Sequence, residues 1–172
     1  MSHYVIDLDT SKCISCGACT VACMDQNDLD MSRQLPYRNV FNLEQREDGT
    51  VQFHHLSLAC MHCPDAPCIT GCPSACISKD PETNLTVFDT TNCIGCHSCA
   101  MACPFGVPSF GPDGKMVKCD GCYVRVHHGM LPACVKACPT KALRLVDLDA
   151  PAEIPPEHSL RTATLGPLAR QV

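Results

Sequence analysis

Cys13-Ile14-Ser15-Cys16-Gly17-Ala18-Cys19-Thr20-Val21-Ala22-Cys23 reads C-x2-C-x2-C-x3-C. The spacing returns 80 residues later as Cys93-Ile94-Gly95-Cys96-His97-Ser98-Cys99-Ala100-Met101-Ala102-Cys103, closed by Pro104. Three thiolates this close together can reach three corners of one four-iron, four-sulfur cubane. The fourth cysteine, three residues further on, serves a neighbouring cluster. Each run therefore needs a partner, and the chain holds two more runs. Cys60-Met61-His62-Cys63-Pro64-Asp65-Ala66-Pro67-Cys68-Ile69-Thr70-Gly71-Cys72-Pro73 reads C-x2-C-x4-C-x3-C-P. Cys119-Asp120-Gly121-Cys122, with Cys134-Val135-Lys136-Ala137-Cys138-Pro139, reads C-x2-C-x11-C-x3-C-P. The proline after the last cysteine fixes φ and helps turn the chain away.

Composition points the same way. There are 17 cysteines in 172 residues, and they are counted within the 45% apolar fraction, so little is left for a conventional core. A chain short of core is held by disulfides or metal. The cysteine number is odd and no secretory signal opens the chain, which weighs against disulfides. Iron–sulfur binding is the reading adopted, with a zinc-bound structural module as the remote alternative. No quartet lacks a cysteine, as a three-iron centre normally would, so the sixteen cysteines of the four runs predict four [4Fe–4S] clusters.

The formal charge of −5 leaves no basic footprint for nucleic acid. An oxidised cluster with its four thiolates adds about −2, so the loaded protein is more acidic still and favours a partner with a basic docking surface. No stretch approaches the roughly 18 apolar residues that span a bilayer, so membrane contact is expected only through another subunit. No nucleophile–base arrangement, carboxylate pair, phosphate-binding loop or dinucleotide fingerprint occurs, and no catalytic residue is predicted.

Between the runs, residues 3–9 read as a strand and 18–25 as a short helix carrying Cys23. Residues 38–45 and 50–58 read as a hairpin turning at Asp48-Gly49. Residues 85–89 and 143–146 read as strands, and 105–114 as a glycine- and proline-rich loop. Run three repeats run one. Run four repeats run two with seven extra residues. The predicted fold class is α+β: two interlocked ferredoxin-like halves related by a pseudo-two-fold, with hairpin insertions. The expected domains are a four-cluster unit over residues 1–149, with cysteine runs at 13–23, 60–72, 93–103 and 119–138, and an extended C-terminal tail over 150–172. Pro151, Pro155, Pro156 and Pro167 suggest that tail is either disordered or laid along a partner.

Spacing alone permits run one to pair with run two and run three with run four, as in two serial ferredoxins, or the crossed arrangement. The chain resembles the four-cluster electron-transfer subunits of molybdenum or tungsten oxidoreductases, of the dimethyl sulfoxide reductase, polysulfide reductase and formate dehydrogenase type. The resemblance rests on residues 13–27, 58–72 with the Cys-Met-His-Cys start, 93–104 and 118–142, and covers about 3–147. It implies that run one pairs with run four and run two with run three. Cluster A then takes Cys13, Cys16, Cys19 and Cys138; cluster B takes Cys23, Cys119, Cys122 and Cys134. Cluster C takes Cys60, Cys63, Cys68 and Cys103; cluster D takes Cys72, Cys93, Cys96 and Cys99. The resemblance further implies a non-catalytic subunit that passes single electrons to or from a catalytic subunit holding a molybdenum- or tungsten-pterin cofactor, with a flavin/NAD or membrane-anchor subunit as a further partner. The alternative settings are a tungsten aldehyde oxidoreductase, a hydrogenase, a flavin/NAD-linked complex or a free polyferredoxin. A cytoplasmic location is expected, with the periplasm open through export alongside a partner.

The remaining cysteine, Cys76, matches Ala142 in the repeat and reads as an inert core residue. His62 and His97, inside ligand loops, read as loop-surface residues with a potential-tuning role as the sharper alternative. His54-His55 and His127-His128 read as solvated or interfacial. Arg125 and Lys136 are candidate charge-balancing or docking cations, with solvation the equal alternative. Residues 123–133 are the expected partner-facing insertion.

Overall fold

The computed structural model describes residues 3–151, 154–155 and 157–165. In chain order the elements are β1 (Tyr4–Leu8), α1 (Ala18–Gln26), β2 (Asn39–Glu47), β3 (Thr50–Leu58), α2 (Pro67–Thr70), β4 (Ile77–Lys79) and β5 (Thr86–Phe88). There follow α3 (Ser98–Ala102), β6 (Ser109–Phe110), β7 (Met116–Val117), α4 (Tyr123–His127), α5 (Ala133–Lys136), β8 (Leu143–Asp147) and α6 (Leu160–Leu165). The result is a small mixed fold of short helices and two-stranded antiparallel ladders. Among the described residues, no helix is long and apolar enough to cross a membrane.

β1 enters the first cysteine run and pairs with β8, which leaves the fourth; Leu8 lies opposite Leu143 and Tyr4 opposite Asp147. In the same way β5 enters the third run and pairs with β4, which leaves the second, with Ile77 opposite Phe88. The helices follow suit: α1 of run one packs on α5 of run four, and α2 of run two on α3 of run three. The ladders are two strands wide, too narrow to be stable alone. Their support is the apolar packing between strand and ligand loop. Ile6, Leu8, Cys19, Met61, Cys134, Val135, Leu143 and Leu160 form one core; Ala66, Cys68, Ile77, Cys99 and Met116 form another. Cysteine is thus a substantial part of both cores.

β2 and β3 form the hairpin read from Asp48-Gly49. Both turn residues have positive φ, 47° and 78°, as a two-residue type I′ connection requires. The hairpin projects, with Phe41, Leu43, Val51 and Phe53 exposed. The loop at 105–114 contains a strand the composition concealed: β6 pairs with β7 through Ser109 opposite Val117.

Within the tail expected over 150–172, the described residues include a helix. Residues 160–165 are helical, and Leu160 and Arg161 are buried against the body. The anchor is Asp7 on β1, itself buried. Its carboxylate accepts from Ser159 Oγ at 2.6 Å and from the Arg161 backbone N–H at 2.9 Å. Thr10 N–H adds a bond to the His158 carbonyl at 2.9 Å. A six-residue helix has too few internal bonds to persist alone, so a carboxylate more than 150 residues away decides its existence. Among the described residues, 158–161 thus pack on β1 and its following turn. The rest of the tail reading, 166–172, lies outside the described residues. Asp7→Ala strands buried donors of Ser159 and Arg161. It is expected to cost about 1–3 kcal/mol and to make the segment after residue 150 newly sensitive to limited proteolysis, while strand β1 stays protected.

Candidate metal centres

Each ligand loop needs the backbone to fold tightly around its sulfurs, and one left-handed residue supplies the turn. It stands just before the second cysteine of every run: Ser15 (φ 58°), His62 (45°), Gly95 (65°) and Gly121 (75°). Left-handed Gly17 and His97 then start α1 and α3. Non-glycine residues adopt this region at an energetic cost, so their side chains are expected to return something there.

These loops bring the cysteines into four groups, each drawn from two runs. Cys13, Cys16 and Cys19 line one cavity with Cys138, walled by Leu8, Val40 and Leu143. Cys119, Cys122 and Cys134 line another with Cys23, beside Tyr37 and Arg38. Cys93, Cys96 and Cys99 line a third with Cys72, walled by Ile77, His97 and Phe110. The last group is seen in its electrostatics: both Cys63 and Cys68 are pushed up by burial and then by Cys60 and Cys103. The serial arrangement, run one with run two, is not the one assembled.

Three observations test what such groups can hold. First, their sulfurs accept hydrogen bonds, as thiolates do. Backbone N–H groups of His62, Cys76, Met116 and Gly121 donate to Sγ of Cys60, Cys72, Cys93 and Cys119 at 3.3–3.4 Å. Asn27 Nδ2 donates to Cys23 Sγ at 3.6 Å. Secondly, in three of the groups the four cysteines line one cavity together.

Thirdly, buried cations lie beside these cysteines. Arg38 (3% exposed) and Lys118 (1% exposed) make no salt bridge with a carboxylate among the described residues. Arg38 donates to the Ser57 carbonyl at 3.0 Å, and Lys118 to the carbonyls of Thr86 and Cys119. Burial would lower the Arg38 pKa; the sulfurs of Cys134, Cys119 and Cys19 outweigh it and raise it. Lys79 and the buried Arg161 stand beside Cys60 and Cys63, each lowered chiefly by burial. Cations such as Arg38 and Lys118, without carboxylates in a low-dielectric interior, require another negative charge. Thiolate-bound cubanes carry it, and the donor set fits them.

A family model described as a 4Fe-4S dicluster domain matches residues 51–148, more than half of the sequence. The protein belongs to that family. Among the relatives of this 4Fe-4S dicluster protein is the B subunit of anaerobic dimethyl sulfoxide reductase from Escherichia coli (strain K12). It is 36% identical, over 98% of this sequence and 83% of that one. The thiosulfate reductase electron transfer subunit of Salmonella typhi is 37% identical, over 86% and 78%. The nitrate-inducible formate dehydrogenase iron-sulfur subunit of Escherichia coli (strain K12) is 36% identical, over 79% and 51%. As a member of this family the protein is an iron–sulfur electron-transfer protein, not a catalyst in its own right.

In the dicluster protein the residues singled out by sequence have varied fates. Cys76 is buried beside the third cavity, its N–H spent on Cys72 Sγ and its thiol pushed up to about 11, chiefly by burial. His97 stacks on Phe110 with ring centroids 3.7 Å apart. His54 and His55 face solvent and pair with Gln45 and Asn42. His127 meets Asp80 and Glu82, each at 3.1 Å, and the Asp80 hydrogen bond raises its pKa. Arg125 serves the insertion at 123–133, holding the Leu131 carbonyl and reaching Gln26 on α1. Lys136 is exposed. His62 departs furthest from a loop-surface reading, being 2% exposed. The sequence did not reveal the charge-balancing cations Arg38, Lys79, Lys118 and Arg161. Only Lys118, next to Cys119, had a local signal in its position.

Proposed function

We propose that this chain carries four [4Fe–4S] clusters, ligated as sets A to D above, and passes single electrons to or from a catalytic molybdenum- or tungsten-pterin subunit. Bound clusters would supply the one-electron redox change; the protein's residues fix their spacing and set their potentials through hydrogen bonds and charge. The observation that carries this reading is the crossed grouping of the cysteines, with Cys138 brought from run four to the cavity of run one, and Cys23 from run one to that of run four. The matching strand and helix pairings support two ferredoxin-like halves, A with B and C with D, related by a pseudo-two-fold. Names of relatives that belong to reductases and a formate dehydrogenase support a catalytic partner. The net charge of −5, more negative with clusters loaded, suits a basic docking face on that partner. A cytoplasmic location is proposed with it.

Anaerobic reconstitution followed by iron, sulfide and zinc analysis tests the cofactor count. About sixteen irons per chain and a brown protein are expected from four four-iron clusters. Stoichiometric zinc in a colourless protein would overturn the reading. Co-purification from the source cell, with metal analysis, tests the partner: molybdenum or tungsten is expected, and nickel would point to a hydrogenase.

A further inference from the structure

We infer that His62 hydrogen-bonds sulfur ligands of two different clusters, B and C, and that its ring thereby tunes the potential of cluster B. The inference rests on the ligand sets proposed above. In runs three and four the left-handed residue before the second cysteine is glycine, Gly95 or Gly121; in run two it is His62, with φ 45°. The backbone gains nothing from a histidine there, so the side chain is the reason to look further.

The His62 backbone N–H donates to Cys60 Sγ of set C at 3.4 Å. Its ring turns away from that loop and crosses to run four. Nδ1 accepts the Thr86 backbone N–H at 2.9 Å, which places the ring proton on Nε2. Nε2 lies 3.9 Å from Cys119 Sγ of set B, within reach of a weak N–H to sulfur bond. The crossing is kept open by Gly121. A Cβ there would fall 3.2 Å from His62 Cε1 and 2.8 Å from Leu85 Cδ2. Lys79 Nζ holds the His62 carbonyl at 3.4 Å, fixing the loop from its outer side. One residue thus donates from its backbone to one set and from its ring to the other.

A donor on a thiolate stabilises the more negative, reduced form of its cluster, so the ring N–H holds the potential of cluster B up. The role is one of positioning and tuning. It calls for no proton or bond to move when an electron passes.

The test uses the loaded protein, with EPR-monitored redox titration of wild type, His62→Phe and His62→Gln; the signal that Cys23→Ser abolishes marks cluster B. His62→Phe is expected to make cluster B harder to reduce by up to about tenfold in its equilibrium constant, about 59 mV for one electron. His62→Gln keeps an N–H donor and is expected to shift it less, with clusters A and D unmoved in both. Full iron content with all potentials unmoved overturns the inference and leaves the ligand sets standing. Variant loading does not limit the test: wild-type protein labelled with ¹⁵N-histidine is expected to show a nitrogen coupling on reduced cluster B in pulsed EPR. Its absence also overturns the inference. Wild-type protein that never gains four clusters overturns the ligand sets and this inference together.

Discussion

Cys138→Ser is expected to abolish the same cluster as Cys16→Ser and to leave the signals that depend on Cys119 and Cys122 in place. The two cysteines are far apart in sequence, and Cys138 follows Cys134 by only four residues. By proximity along the chain, Cys138 would share the fate of run four. The fold separates them. Cys134 faces the cavity of Cys23, Cys119 and Cys122, whereas Cys138 faces that of Cys13, Cys16 and Cys19. The β1–β8 ladder holds Cys138 there by pairing Leu8 with Leu143, just beyond it. A serine hydroxyl is a poor substitute for a thiolate, so one of four clusters is lost and iron content falls by about a quarter. EPR of the two single variants checks this. If Cys138→Ser and Cys122→Ser removed one shared signal while Cys16→Ser removed another, the crossed ligation would be wrong.

The second large effect is expected on removing the metal. Anaerobic chelation should abolish the cooperative thermal transition of the whole protein, and not merely bleach it. Burial pushes the thiols of Cys68 and Cys122 up to about 11 and that of Cys119 well above its ordinary value. At neutral pH these three thiols are therefore protonated in the emptied sites and supply no negative charge. Arg38 and Lys118 are then buried cations with no counter-charge, a situation that costs about 3–5 kcal/mol each. Against a total stability of about 5–15 kcal/mol for a domain, two such charges consume most of what holds the fold. The two ends of the molecule add to the loss, because Cys138 and Cys23 staple the first and last runs together only through metal. Hydrogen exchange of the β1–β8 amides, before and after chelation, measures this. Equal protection in both states would show that the ladders stand without clusters.

Much of this molecule was legible in its residue order because its ligands come in local runs. Three cysteines within seven residues already determine one face of a cluster site. Asp48-Gly49 determines a hairpin because few other residues tolerate two successive left-handed positions. Spacing also fixed which strands would flank which run, although not which strand would pair with which. The family resemblance was needed to prefer the crossed ligand sets, since run one with run two satisfied spacing equally well.

What residue order did not carry was anything decided by burial at long range. The helix at 160–165 depends on Asp7, at the other end of the molecule, and its proline-rich approach looked like an extended tail. The charges that balance the centres, Arg38, Lys79 and Arg161, lie outside the runs and carry no motif. Arg125 and Lys136 sit inside the fourth run, where Lys136 is exposed and Arg125 is spent on Leu131 and Gln26. His62 looked like a loop-surface residue because a histidine inside a ligand loop more often sits at that loop's surface. Only the approach of Thr86, Cys119 and Gly121 makes its position buried. By itself the sequence determined that this protein binds iron–sulfur clusters and roughly where, since thiolate spacing is covalent geometry. Tertiary structure alone decided which charges and hydrogen bonds face those clusters, since these depend on segments meeting across the fold.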